Sequence, residues 1–239
     1  MRNAAFSRRA LLKAASLLCL GVSPVAAQTD ERAAARKVLA GALTIDIHSH
    51  AGRAIGRTNV PKNGPFTPVA APMREGGMAV ICLAMVADTP TLDLTPERRI
   101  RAMREPGPGE LYEWSRLSFA RLGALVADQK LGVVTDAATL KAAPSAGPSV
   151  IIAAEGTDFL EGRTDRLEEA HRIHRLRHLQ LTHYRVNELG DIQTQPAVHG
   201  GLTAFGADVI RACNRLGIVV DVAHGPLDLV KRAASITTK

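Results

Sequence analysis

The stretch Thr44–Ala51, TIDIHSHA, places two histidines two residues apart at the end of an otherwise apolar run. Extended backbone turns successive side chains to opposite faces, so Asp46, His48 and His50 are expected on one side of a strand. One histidine in that setting reads as a satisfied core residue. Two imidazoles at this spacing need a shared partner, and a metal ion is the ready candidate because imidazole nitrogen is a common zinc ligand. Three other strand-like runs end on related chemistry: SVIIAAEG at Glu155, HLQLTH at His183 and IVVDVAH at His224.

The elements that must position these groups follow a strand-then-helix rhythm. Asp30 to Ala42 reads as a helix leading into the TIDIHSH strand, and a Gly- and Pro-rich loop over 51–77 leads to the apolar strand MAVICLAMVA. Thr95-Pro96-Glu97 reads as a helix start with proline at the first helical position. Helices are then expected over GELYEWSRLSFARLGALVADQ, over the charged TDRLEEAHRIHRLR, and over GLTAFGADVIRACNRLG, ending at Gly217. Apolar strands alternating with helices predict parallel βαβ units of the α/β class, with both sheet faces covered. In a parallel barrel the C-terminal strand ends share one rim, where active sites sit. His48, His50, Glu155, His183 and His224 are therefore expected together, around metal.

The remaining histidines read differently. His171, His174 and His178 share a helical spacing among arginines and are expected on a solvated face. His199 lies in a Pro/Gly loop and has no assignment, and Asp221 falls on the opposite strand face from His224 and is not counted as a ligand. Tyr112 and Trp114 read as packing residues.

Of the 239 residues, 46% are hydrophobic and 3% aromatic, which predicts a core of Ala, Val, Leu and Ile in one large domain or two small ones. The net charge of +7 falls to +3 once residues 1–27 are set aside, because they carry Arg2, Arg8, Arg9 and Lys13 and no acid. That segment has a basic start, a short apolar stretch and small residues at Val25 and Ala27, the pattern of a signal peptide. Ser7-Arg8-Arg9-Ala10-Leu11-Leu12-Lys13 resembles a twin-arginine signal, which predicts export to the periplasm or beyond by that route or as an ordinary Sec signal. The apolar stretch is too short for a membrane span in the mature chain. The small residual charge argues against a nucleic-acid binder. Cys82 and Cys213 show no zinc-knuckle spacing and are expected as buried free thiols.

From about Leu39 onward the chain resembles the membrane (renal-type) dipeptidase family of zinc metallopeptidases, which have an amidohydrolase-like barrel. GGLTAFGADVIRACNRLGIVVDVAH, LTHYRVNELGD and AAEG carry the resemblance, with DIHSH in place of the family's Asp-Gly-His-Asn-Asp. The resemblance implies that His48 ligates one zinc, Glu155 bridges two, His224 ligates the second and His183 contacts the substrate beside the scissile carbonyl. It also implies dipeptide hydrolysis by a hydroxide shared between the zincs, with Glu155 and His183 as the catalytic side chains. A homodimer is implied by resemblance alone. His50 stands where most relatives carry aspartate, and a strand His-x-His is a good chelating pair.

The family pattern continues into a sixth strand ending in Ser-His and an eighth ending in Asp, both beyond Lys239. The expectation is an incomplete (β/α)8 TIM-type barrel with about five of eight strands, residues 28–239 being its N-terminal portion. The second zinc site would then be incomplete, with weak zinc binding and little hydrolysis by these residues alone. Two other readings stand beside this one: an inactive metal-binding remnant, or another barrel metallohydrolase of the lactonase or phosphoesterase type. Against the latter, no lysine stands at a strand end to form a carbamylated bridge.

Overall fold

A computed structural model describes residues 24–54 and 64–238 of the chain. The first 23 residues of the expected signal segment lie outside the described residues. Contacts divide the chain into two compact units, Met1–Ala42 and Leu43–Lys239. The described part of the first, residues 24–42, holds helix α1 (Pro24–Leu39). Among the described residues no helix is long and apolar enough to cross a membrane.

The second unit is built on a parallel sheet. Strands β1 (Ile45–Ser49), β2 (Val80–Val86), β6 (Ser149–Glu155), β7 (Leu176–Gln180) and β8 (Val219–Asp221) run in that order, and the short β5 (Gly132–Val133) pairs with the start of β6. They form a curled half-barrel, the α/β architecture expected from the alternating pattern. Every residue of β2 is buried, which is why its sequence is a continuous apolar run rather than an alternating one.

Helices cover the convex face. Helix α3 (Glu110–Asp128) buries Leu111, Phe119, Leu122, Leu125 and Val126, a helical spacing. Four of these, Phe119, Leu122, Leu125 and Val126, share one core with Leu83, Met85, Ile152 and Leu179 of the sheet. A fully buried leucine of this kind contributes about 2 kcal/mol. Helix α6 (Ala204–Leu216) starts where the Thr203 hydroxyl accepts the Gly206 N–H and stops, as expected, at Gly217 with φ +70°. Helices α5 (Asp165–Ile173) and α7 (Leu227–Ile236) complete the layer.

Several boundaries differ from the sequence expectation. Thr95-Pro96-Glu97 does not open a helix: it is the turn of a hairpin between β3 (Leu92–Leu94) and β4 (Ile100–Ala102). The Thr95 hydroxyl does accept the Arg99 N–H, but Arg98 takes φ +60° and no apolar stripe follows to reward further helix. The 51–77 loop contains helix α2 (Ala70–Gly76), which buries Ala70 and Met73. Strand β5 and helix α4 (Ala137–Ala146) were not anticipated, although Asp136 and Thr139 form a reciprocal capping box at the start of α4. Strand β7 begins at Leu176, because Arg175 with φ +58° ends the preceding helix early.

Candidate metal and catalytic site

The carboxylate of Glu155, at the C-terminal end of β6, is the centre of a cluster at the rim of the half-barrel. His48 Nε2 lies 3.4 Å from Glu155 Oε1 and His50 Nε2 3.1 Å from Oε2. The two imidazoles, expected on one strand face, meet with 3.1 Å between their Nε2 atoms. The β1–β2 register shifts between Asp46 and Ser49, where these side chains turn inward. Asp46 does not enter the cluster; its carboxylate accepts the His48 backbone N–H at 3.1 Å.

Strands β7 and β8 supply the other half. His183 Nε2 is 3.3 Å and His224 Nε2 3.8 Å from Glu155 Oε1, and their ring centroids are 4.9 Å apart. Strand β8 stops at Asp221, and His224 reaches the cluster through a turn in which it holds φ +65°. A non-glycine residue in the left-handed region carries strain, which proteins keep at functional positions. The His224 carbonyl is tied by the Gln193 N–H at 2.8 Å, from a loop organised by buried Asp191, whose carboxylate accepts the Val198, His199 and Gly201 N–H groups.

Electrostatics follow from this crowding. Burial works against a charged Glu155, yet hydrogen bonds from His48 and His50 and the charge of His183 hold its pKa well below the carboxylate range. The hydrogen bond to Glu155 raises His48. Burial and the neighbouring His183 push His224 down. Burial also opposes charge on His183, but the hydrogen bond and charge of Asp88 outweigh it and raise the ring.

The donor set suits a metal. His48, His50 and Glu155 offer ligand atoms within 4.8 Å of one another, and so do Glu155, His183 and His224. His50 Nδ1 faces the Ala84 carbonyl at 3.2 Å. A carbonyl only accepts, so Nδ1 carries a proton, and Nε2 is the atom that a metal would take in place of its hydrogen bond to Glu155.

All five expected residues thus converge. Asp221 stays out of both groups, as expected, but for a different reason: with β8 ending there, its carboxylate pairs with His178 Nε2 at 3.4 Å. His178 is correspondingly not on a solvated helix face; it is buried within β7. His174 stacks on Phe119 at 4.8 Å between centroids. Exposed His199 lies outside the cluster. Cys82 and Cys213 are free and buried, and burial lifts their thiols to about 11 and about 12. One residue was missed: Asp88, wholly buried just past β2, bonds His183 Nδ1 at 2.8 Å. It stands two residues beyond the apolar strand β2, the same kind of signal that marked the others.

Fold and site together define an α/β half-barrel of parallel strands with a strand-end cluster of histidines and a glutamate that could hold a metal. The chain belongs to the membrane dipeptidase family, Peptidase family M19, whose profile matches residues 32–239. It is 35% identical over 75 residues to dipeptidase tcpJ of Claviceps purpurea (strain 20.1), covering 31% of this chain and 17% of that protein. The probable dipeptidase PvdM of Pseudomonas aeruginosa superposes with a TM-score of 0.67 at 17% identity, over 86% of this chain and 52% of its own. A metallopeptidase from Rhodobacter sphaeroides, liganded with a phosphinate mimic of the dipeptide L-Ala-D-Ala, gives 0.53 at 22% identity, over 70% and 52%. The chain spans about half the length of these solved relatives.

Proposed function

We propose that the protein is a zinc-dependent dipeptidase, and that residues 43–239 supply the greater part of its metal centre. The observation that carries this reading is the convergence of His48, His50, His183 and His224 on the single carboxylate of Glu155. His48 and His50 would hold one ion, Glu155 would bridge to a second, and His224 would hold that second ion. A carboxylate suits the bridging position because it has two oxygens and offsets part of the positive charge. Zinc, when bound, supplies Lewis acidity and a nucleophile drawn from water near neutral pH.

The protein's own groups do the rest. His183 faces the cluster beside Glu155 and, with its ring protonated on both nitrogens, is the group placed to donate a hydrogen bond from Nε2 to the oxygen of a peptide carbonyl as charge develops there. The tie between Gln193 and the His224 carbonyl keeps that ring in place while substrate enters. A dipeptide substrate is supported by family membership and by the dipeptide mimic held in the Rhodobacter sphaeroides relative. Export to the periplasm is inferred from the Arg8-Arg9 leader alone.

The test is zinc titration of the purified chain followed by a dipeptide hydrolysis assay, with Glu155→Gln alongside. Saturable zinc binding in the wild type that the variant loses supports the site. Equal zinc uptake by both proteins would rule it out.

A further inference from the structure

We propose that Asp88 is a positioning residue for His183, keeping a proton on Nδ1 and turning Nε2 toward Glu155. The catalytic part of this rests on the dipeptidase reading; the orientation of the ring does not. His183 Nδ1 meets Asp88 Oδ1 at 2.8 Å, and the Tyr184 backbone N–H donates to Asp88 Oδ2 at 3.0 Å. A carboxylate holding two N–H groups from consecutive residues grips both the ring and the backbone that carries it. An ionised carboxylate only accepts, so Nδ1 must be the donor, and the ring has one orientation compatible with that bond. Nε2 is then the atom left to face Glu155, 3.3 Å away.

Asp88 is itself fixed. Its side chain is fully buried, so water does not compete for the Nδ1 proton. Its carbonyl accepts both the Thr91 N–H at 2.9 Å and the Thr91 hydroxyl at 2.8 Å. The next residue back, Ala87, donates its N–H to the Glu155 carbonyl at 2.9 Å. The strand end bearing Asp88 is therefore bonded directly to the strand end bearing Glu155, and His183 is suspended between the two carboxylates. A buried acceptor that merely satisfied the Tyr184 N–H would have no need to reach the ring. The arrangement is the one by which a hydrogen-bonded carboxylate selects an imidazole tautomer and its rotation.

The test is nitrogen-15 NMR of histidine-labelled protein, wild type and Asp88→Asn, with dipeptide kinetics on the same samples. The asparagine preserves shape but cannot accept both N–H groups without turning an NH2 toward one of them. In the wild type His183 is expected to show a protonated Nδ1 that exchanges slowly. In Asp88→Asn that signal should be lost or split between tautomers, with zinc stoichiometry unchanged and kcat reduced about tenfold or more at little change in KM. A wild-type His183 protonated on Nε2 alone overturns the proposal even where the variant does not fold. So does a variant whose His183 signals and kcat match the wild type. If the wild type hydrolyses no dipeptide, the tautomer result alone decides the role of Asp88, and the metal reading is judged separately by the zinc titration of Glu155→Gln.

Discussion

Glu155 shows how much one residue carries. Its two oxygens are divided among four imidazoles, so the charge of one buried carboxylate organises the rim before any metal arrives. Glu155→Gln removes that charge and should lower zinc affinity by more than the roughly 10- to 100-fold cost of losing a supporting hydrogen bond, read by calorimetric titration. Behind the rim, Asp158 makes a pH prediction. Burial and the charge of Asp88 lift its pKa to about 7, with the Arg185 guanidinium pulling the other way. An acid whose pKa is higher in the folded than in the unfolded state binds more protons when folded, so stability falls as pH rises from about 4 to about 7. Denaturant unfolding across that range should show the decline in the wild type and a flatter profile in Asp158→Asn.

At the scale of elements, the site depends on how strands end. Gly156 follows Glu155 with φ +84°, and a Cβ there would stand 2.8 Å from Asp158 Oδ2. Gly156→Ala should cost about 1–3 kcal/mol in unfolding free energy and weaken zinc binding in the same titration, because the turn that aims Glu155 is displaced. Helix α4 offers a contrasting case remote from the rim. Asp136→Ala deletes the capping box and should cost about 1 kcal/mol, with zinc affinity unchanged. The hairpin at Thr95 belongs here too: a good helix start without an apolar face to bury becomes a turn.

At the scale of the whole second unit, metal should act as a stabiliser. Ligands that bind only the folded state raise its stability by about 2.7 kcal/mol at a hundredfold excess over the dissociation constant. Zinc should therefore raise the thermal midpoint of the wild type, and chelation should reverse the shift. The sheet carries exposed apolar side chains on one side, among the described residues. Ile47 is 72% and Val219 60% exposed, and both line a cavity of about 600 Å³ together with Cys82 and Ile151. Exposed apolar surface of this kind promotes association. Ile47→Thr with Val219→Thr should reduce binding of a hydrophobic dye and self-association in sedimentation, without loss of zinc.

Much of this was already written in local pattern. Continuous apolar runs marked β2 and β6 because strands buried on both faces exclude polar residues, and Gly217 marked the end of α6 because a left-handed C-cap favours glycine. His48, His50, Glu155, His183 and His224 were legible because polar groups ending apolar strands in a parallel sheet must share a rim. What the linear pattern did not contain was the partner of each side chain. His178 was misplaced because β7 starts before the helical spacing has run out, whereas Asp221 stays out of the site as expected, its partner set by where β8 ends rather than by strand parity. Asp88 met the same strand-end criterion as the others, yet its role depends on a histidine 95 residues away. Residue type and spacing determined which groups reach the rim, since they depend on neighbouring backbone alone. Only tertiary packing decided who bonds whom, because a hydrogen bond across two strand ends depends on distances that no local sequence encodes.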